Sequence, residues 1–191
     1  MSVSAKKMVY AALFLALALF LPFLTGQIPE IGSMLSPMHL PALLCGFVCG
    51  WPWGLAVGFV APLFRTLCFG MPPFATALAM AFELAAYGAF SGLLYRLLPK
   101  KVGYLYVSLI GAMIGGRLVW GAVQAVITGV AGTAFGLQAF WMGAVANAIP
   151  GIICQIVLVP LLVLALGKAG LLPDAPVRSR AASPDTTQER A

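Results

Sequence analysis

The chain has 191 residues, of which 62% are hydrophobic and only 8% are charged, whereas a soluble domain carries about a quarter charged residues. Its mean hydropathy is +1.02, so the sequence excludes a water-exposed surface all round and predicts a protein that crosses a membrane several times. The net charge of +6 does not indicate nucleic-acid binding, because most basic residues lie in short segments beside apolar runs, where they set membrane topology.

Six apolar runs predict an all-α integral membrane protein, built as a six-transmembrane-helix bundle with both termini in the cytoplasm. The predicted spans are about 8–23, 37–50, 53–70, 74–97, 103–130 and 138–167. The second span is short, since a bilayer requires about 20 residues. Residues 1–170 form the predicted membrane domain. Residues 171–191 have no apolar face and are predicted to be a disordered cytoplasmic tail.

The loops carry basic residues on one side of the predicted bundle only. The loops at 24–36, 70–73 and 129–137 contain no Lys or Arg. The side that holds both termini carries Lys6, Lys7, Arg96, Lys100, Lys101, Lys168, Arg178, Arg180 and Arg190. Because positive residues stay on the cytoplasmic side, this asymmetry predicts that both termini are cytoplasmic.

Small residues recur at four-residue spacing, for example Ala12 with Ala16 and Gly54 with Gly58. Such pairs let helix backbones approach closely in lipid, either within the subunit or against a partner protein. The cysteines at 45, 49, 68 and 154 all lie in apolar runs, so they are expected to be small buried hydrophobes rather than a disulfide framework. With a single histidine in the chain, no metal site is expected.

Few strongly polar side chains remain inside the predicted spans. They are Arg65, Glu83, Arg117, Gln124, Asn147 and Gln155, with His39 near the outer rim. At a rise of about 1.5 Å per residue, the first three and Asn147 fall at mid-membrane or slightly outward, on four different helices. A charge at this depth costs at least about 2.5–3.5 kcal/mol, so it normally faces a cavity or a partner. The layer predicts a binding site inside the bundle.

The charges of this layer do not balance. Glu83 is the only acid within the predicted spans, so it cannot neutralise both Arg65 and Arg117. An anionic ligand would supply the missing partner, because a guanidinium group binds a carboxylate through two parallel hydrogen bonds. Two alternatives stay open: a purely structural ion pair, and a second arginine satisfied by backbone carbonyls or water. His39 is either bonded to a loop carbonyl at a helix start or in contact with the ligand.

Aromatic residues in the outer half could line such a pocket with apolar walls; the candidates are Tyr87, Trp120, Phe135 and Trp141. Ligand sites are mostly apolar with a few placed polar groups. The chain shows no nucleotide-binding loop, no Ser-His-Asp set and no acid pair for acid–base catalysis. The sequence therefore predicts no enzyme and no cofactor, and any energy coupling must come from another subunit.

The run SPMHLPALLCGF…GLAVGFVAPLFRTLCFGMPP, the basic N-terminus and the pair Ala12 and Ala16 resemble the substrate-binding S components of energy-coupling factor (ECF) vitamin transporters, over about residues 5–168. The resemblance implies a subunit that docks, through Ala12 and Ala16, on a transmembrane coupling subunit bearing two cytoplasmic ATPases. It also implies a ligand near the outer side, capped by the loop at about 25–36. The loaded subunit would topple in the membrane and release its vitamin inside when ATP is hydrolysed.

Within this family the SPMH run most resembles members assigned to pantothenate, an anion with hydroxyls and an amide. The expected substrate-binding residues are Arg65, Arg117, Glu83, Asn147, His39 and Gln124. Folate, nicotinate, biotin and hydroxymethylpyrimidine stay open as substrates. A stand-alone secondary carrier or channel also stays open, although no inverted repeat is obvious. The expected location is a prokaryotic cell membrane, crossed several times.

Overall fold

The computed structural model describes residues 3–24, 34–132 and 136–170, and all regular structure in these ranges is helical. The helices are α1 (Val3–Leu24), α2 (His39–Cys49), α3 (Trp51–Phe69), α4 (Phe74–Leu97), α5 (Val102–Val130), α6 (Leu137–Ala144) and α7 (Ile149–Lys168), with a 3₁₀ helix at Ala146–Ala148 between the last two. The predicted tail at 171–191, most of the predicted capping loop and Phe135 lie outside the described residues.

Long apolar helices confirm the predicted all-α membrane fold. Within the described residues, five stretches are long and apolar enough to cross a membrane: Ala5–Leu24, Trp51–Phe69, Phe74–Leu97, Val102–Val130 and Leu137–Lys168. Helix α2 is also apolar but has 11 residues, or about 16 Å of rise, against a bilayer core of about 30 Å. The protein is thus a multi-pass helical membrane protein, and the count of six spans stays a prediction.

Prolines fix where several helices begin. Pro41 lies in the first turn of α2, Pro52 and Pro150 lie at the starts of α3 and α7, and Pro73 directly precedes α4. The first N–H groups of a helix have no intrahelical partner, so proline loses no hydrogen bond at these positions. The start at Ile149-Pro150 divides the run that the sequence predicts as one continuous span at 138–167.

Helix α4 lies at the centre of the bundle, packed against α2, α3 and α5. Its contact with α3 is made by glycines: a Cβ atom on Gly54 would lie 2.5 Å from the carbonyl oxygen of Gly88 and 2.7 Å from the Cα of Gly46 in α2. The hydroxyl of Ser91 adds a polar link, 3.3 Å from the carbonyl oxygen of Leu43 in α2. Three helix backbones therefore meet with almost no side chain between them.

The remaining helices surround this centre. Helix α1 packs on α2 and α3, and α7 packs on α2 and α5. The buried core between them includes Leu43, Phe47, Leu109, Val159 and Val163. Large apolar side chains also cover the outside, with Ile114, Leu118, Ile153, Val157 and Leu161 all exposed. An apolar outer surface of this kind is stable only against lipid.

The glycine contact gives a first prediction. Gly88→Val should lower the stability of the protein by about 1–3 kcal/mol or more, because the added carbons meet the backbone of α3, which cannot rotate away. The measurement is the thermal unfolding midpoint of the purified protein in detergent. Gly103→Ala is the control, since a Cβ atom there meets nothing within 4 Å, and it should leave the midpoint unchanged. A Gly88→Val variant as stable as the wild type would contradict the close approach.

Candidate functional site

The buried carboxylate of Glu83 contacts two basic side chains from neighbouring helices. Glu83 lies near the middle of α4 and is 2% exposed. Its Oε1 atom is 2.9 Å from Nη1 of Arg117 in α5 and 3.2 Å from Nε2 of His39, the first residue of α2. Three helices thus contribute to one charged cluster in the interior, which we call the Glu83 cluster: His39, Glu83, Tyr87 and Arg117.

Tyr87 joins this cluster because it follows Glu83 by one helical turn and shares its face. It is fully buried, and its ring stands edge-on to the ring of His39, with centroids 5.1 Å apart and an interplanar angle of 75°. Gly116 of α5 makes room for it, since a Cβ atom there would lie 3.0 Å from the tyrosine ring. From the sequence Tyr87 is expected only as an apolar wall. Its spacing from Glu83 is the signal that places it in the cluster.

The start of α2 fixes the position of His39. Its backbone N–H donates a hydrogen bond to the carbonyl oxygen of Ser36, at 3.0 Å, while its side chain points to Glu83. The backbone of His39 is therefore bonded to a loop carbonyl, and its imidazole faces the interior cluster. Contact of His39 with a ligand stays a prediction.

Hydrogen bonding within the cluster is incomplete. Among the described residues, no hydrogen-bond partner is found for Nδ1 of His39, the hydroxyl of Tyr87 or Nε of Arg117, and Oε1 of Glu83 is within ion-pair distance of both bases without alignment as an acceptor. Each buried polar group left in this state costs about 1–3 kcal/mol. Native proteins keep few such groups, and each requires an explanation. A bound polar ligand is an explanation that suits a site in the membrane interior, because it would supply the missing hydrogen bonds.

Accessibility differs between the members of the cluster. The side chain of Arg117 is 15% exposed, against 2% for Glu83 and 4% for His39. A guanidinium group has five donors in a planar fork, and the contact with Glu83 engages only one edge of it. Arg117 is therefore the charged group of the cluster that a ligand can reach most easily, and it would meet an acceptor such as a carboxylate.

The second arginine is stabilised in a different way. Nη1 of Arg65 donates a hydrogen bond to the carbonyl oxygen of Leu19 in α1, at 2.8 Å. Its guanidinium carbon lies 5.0 Å from the ring centroid of Phe23 and 5.6 Å from that of Phe69. A cation over aromatic rings is attracted by their negative faces. These contacts place Arg65 between α1 and α3, and they correspond to the alternative of a second arginine satisfied by backbone carbonyls.

The other predicted site residues, Gln124 and Asn147, lie towards the end of the bundle opposite the one where α1 begins and α7 ends. Gln124 is half-buried and follows Arg117 by seven residues in α5, or about 10 Å along the helix. Asn147 is exposed in the 3₁₀ helix. Close by, α6 packs on α5 through Trp120 and Phe140, whose ring centroids are 6.3 Å apart.

One further polar residue, Gln155 of α7, is 2% exposed, and neither its Oε1 nor its Nε2 has a hydrogen-bond partner within the described ranges. The sequence counts it among the polar residues of the spans but does not place it in the binding set. Its burial is the signal that sequence alone could not supply, because the apolar residues around it recur on every side of α7.

A comparison with protein families gives a match to the ECF transporter, substrate-specific component family over residues 6–163. The chain belongs to this family. By its description, this family comprises the substrate-specific components of ECF transporters. The resemblance seen in the sequence is thereby confirmed.

A curated relative matches only part of the chain. Over 75 residues the chain is 40% identical to the mitochondrial complex I assembly factor TIMMDC1 of Xenopus laevis, a match that covers 39% of this chain and 29% of that protein. The chain thus spans less than a third of the length of this relative. No solved structure matches the chain significantly.

The ion pair gives a second prediction. Glu83→Gln should cost about 3 kcal/mol of stability, the lower end for breaking a buried pair, because it leaves Arg117 buried without its counter-ion. Adding Arg117→Met should restore most of the loss, and thermal midpoints of the single and double variants measure the coupling. Arg96→Gln, at the exposed end of α4, is the control. Losses that simply add would show that the two charges do not interact.

Proposed function

We propose that the protein is the high-affinity substrate-binding membrane subunit of an ECF-type ABC importer for a small anionic water-soluble vitamin, with pantothenate as the favoured candidate. The ligand binds at the Glu83 cluster, and partner subunits hydrolyse the ATP. The observation that carries this proposal is a buried carboxylate–guanidinium pair with unpaired donors, in a chain that belongs to a family of substrate-specific transport components.

Arg117 is the proposed anchor for the carboxylate of the vitamin. Contact with Glu83 orients its guanidinium group, and Nε has no hydrogen-bond partner among the described residues. A carboxylate can therefore take the remaining donors as a bidentate pair. Nδ1 of His39 and the hydroxyl of Tyr87 offer further hydrogen bonds.

Pantothenate fits these groups because it combines one carboxylate with hydroxyls and an amide. The likeness of the SPMH run to members assigned to pantothenate supports the same choice. Folate, nicotinate, biotin and hydroxymethylpyrimidine are the competing vitamins or precursors, and a purified protein tested against the whole panel discriminates among them. Arg65, Gln124 and Asn147 stay predicted contacts, since their positions in the structure neither include nor exclude a ligand.

Helix α1 is the proposed docking surface for the transmembrane coupling subunit. Ala12 and Ala16 are exposed one turn apart, while Ala11, Phe14 and Ala18 on the other side of the helix are buried in the bundle. A stripe of small exposed residues allows a partner helix to approach closely in lipid. We place both termini in the cytoplasm of a prokaryotic cell, where the coupling subunit would bring two ATPases to the complex.

The third prediction distinguishes the roles of the two buried arginines, Arg65 and Arg117. Arg117→Gln should weaken binding of the vitamin at least tenfold, because it removes the charge that meets the carboxylate. Arg65→Gln should instead lower the thermal midpoint, because it removes the charge-assisted hydrogen bond to Leu19. Both variants are measured by titration of the purified protein with the vitamin and by thermal unfolding. Unchanged affinity in Arg117→Gln would contradict its role as the anchor.

The fourth prediction concerns docking. Ala12→Leu combined with Ala16→Leu should abolish vitamin uptake by cells that contain the coupling subunit and ATPases, without changing the affinity of the purified protein. Ala165→Leu is the matched control, because Ala165 is an exposed alanine on α7, and it should leave uptake intact. Uptake that survives the double change would contradict docking through α1. Transport by wild-type protein in liposomes without any ATPase would favour a stand-alone carrier.

A further inference from the structure

Gln155 is a buried polar side chain that the packing of the helices does not explain. It is 2% exposed, and both polar atoms of its carboxamide have no hydrogen-bond partner among the described residues. The same face of α7 continues with Val159 and Val163, which are buried in the apolar core. An apolar residue would suit this position better unless the carboxamide has a partner that comes from outside the chain.

The height of Gln155 in the bundle is that of the Glu83 cluster. Gln155 precedes the end of α7 at Lys168 by thirteen residues, and Glu83 precedes the end of α4 at Leu97 by fourteen. Arg117 follows the start of α5 at Val102 by fifteen. At about 1.5 Å per residue these three residues lie about 20, 21 and 22 Å from the helix ends that carry the basic residues. They belong to one layer.

The packing of α7 indicates that Gln155 faces the interior that holds the Glu83 cluster. Helix α7 packs against α2 and α5, the two helices that supply His39 and Arg117 to Glu83. Because Gln155 is buried, its side chain points between these helices and not to the lipid. One turn earlier, a Cβ atom on Gly151 would lie 2.7 Å from the carbonyl oxygen of Met34 and 2.9 Å from that of Leu35. The segment before α2 therefore covers the outer side of this position.

We propose that Gln155 is a specificity-determining residue of the substrate site, and that it selects a carboxylate ligand that also carries an amide. This inference rests on the proposed function. A carboxamide offers a donor and an acceptor side by side, so it pairs with an amide or with a hydroxyl next to a carbonyl. Arg117 holds the carboxylate of the ligand, and Gln155 distinguishes it from other small anions through the amide. A site built to hydrogen-bond such a group discriminates strongly against analogues that lack it.

Titration of the purified full-length protein with two probes tests the inference. The probes are pantothenate and its analogue with an ester oxygen in place of the amide N–H. Gln155→Met should weaken pantothenate binding at least tenfold, and Gln155→Glu should weaken it further. The ester should bind the wild type less tightly than pantothenate does, whereas Gln155→Met should bind both alike. Gln138→Met, at an exposed position in α6, is the control and should match the wild type.

The thermal midpoint of the ligand-free protein distinguishes a binding role of Gln155 from a structural one. Gln155→Met removes two unpaired polar atoms, so its thermal midpoint without vitamin should equal or exceed that of the wild type. A lower midpoint, with both probes weakened by the same factor, would overturn the inference. Unchanged affinity in both Gln155 variants would overturn it and leave the proposed function intact. If the wild type binds only a vitamin without an amide, such as nicotinate, this inference fails and the proposed function stands. If it binds none of the panel, the proposed function and this inference both fail.

Discussion

The carboxylate of Glu83 is the constraint on which the rest of the structure depends. A lone charge in the membrane interior is too costly to keep, so its partners must come within about 3 Å of it. They come from α2 and α5, which can approach only because α4 sits at the centre of the bundle. Glycine contacts such as Gly54 with Gly88 hold α4 against its neighbours. The ion pairs of Glu83 therefore depend on the close packing of the helix backbones. Charged side chains make the pairs, and glycines make the close packing possible.

The two buried arginines show two ways of stabilising a cation in this environment. Arg117 pairs with the carboxylate of Glu83, and its Nε has no partner in the part of the chain that the structure describes. Arg65 instead contacts the carbonyl oxygen of Leu19 and the faces of two phenylalanines. The case for an anionic ligand therefore does not need a leftover charge. It depends on Nε of Arg117, which has no hydrogen-bond partner among the described residues. Arg65 also links α3 to the C-terminal part of α1, the helix proposed to dock on the coupling subunit.

The sequence predicts the helical membrane fold well, because apolar runs and prolines determine where helices begin and end. Helical rise also predicts that Glu83 and Arg117 lie at a similar height, which agrees with their contact. It does not predict the direction in which a side chain points around its helix, since nearly every face of these helices is apolar. For this reason the sequence could not choose between Arg65 and Arg117 as the partner of Glu83, and it could not recognise Gln155 as buried. The sequence does not predict the interruption at Ala146–Ala148, because Asn147 and Pro150 lie in a run that is otherwise apolar and long enough to be one span.

Side chains next to the cluster connect it to the proposed docking helix. Met38 directly precedes His39, and Leu84 directly follows Glu83. Both belong to a compact buried group with Ala18 of α1, Ala42 of α2 and Ala61 of α3. Interiors packed at this density have few voids to absorb a displacement. A ligand that moved His39 or Glu83 would therefore act on α1 through atoms already in contact, so the small residues that bring the helices together also join the binding site to the surface where the coupling subunit is proposed to dock.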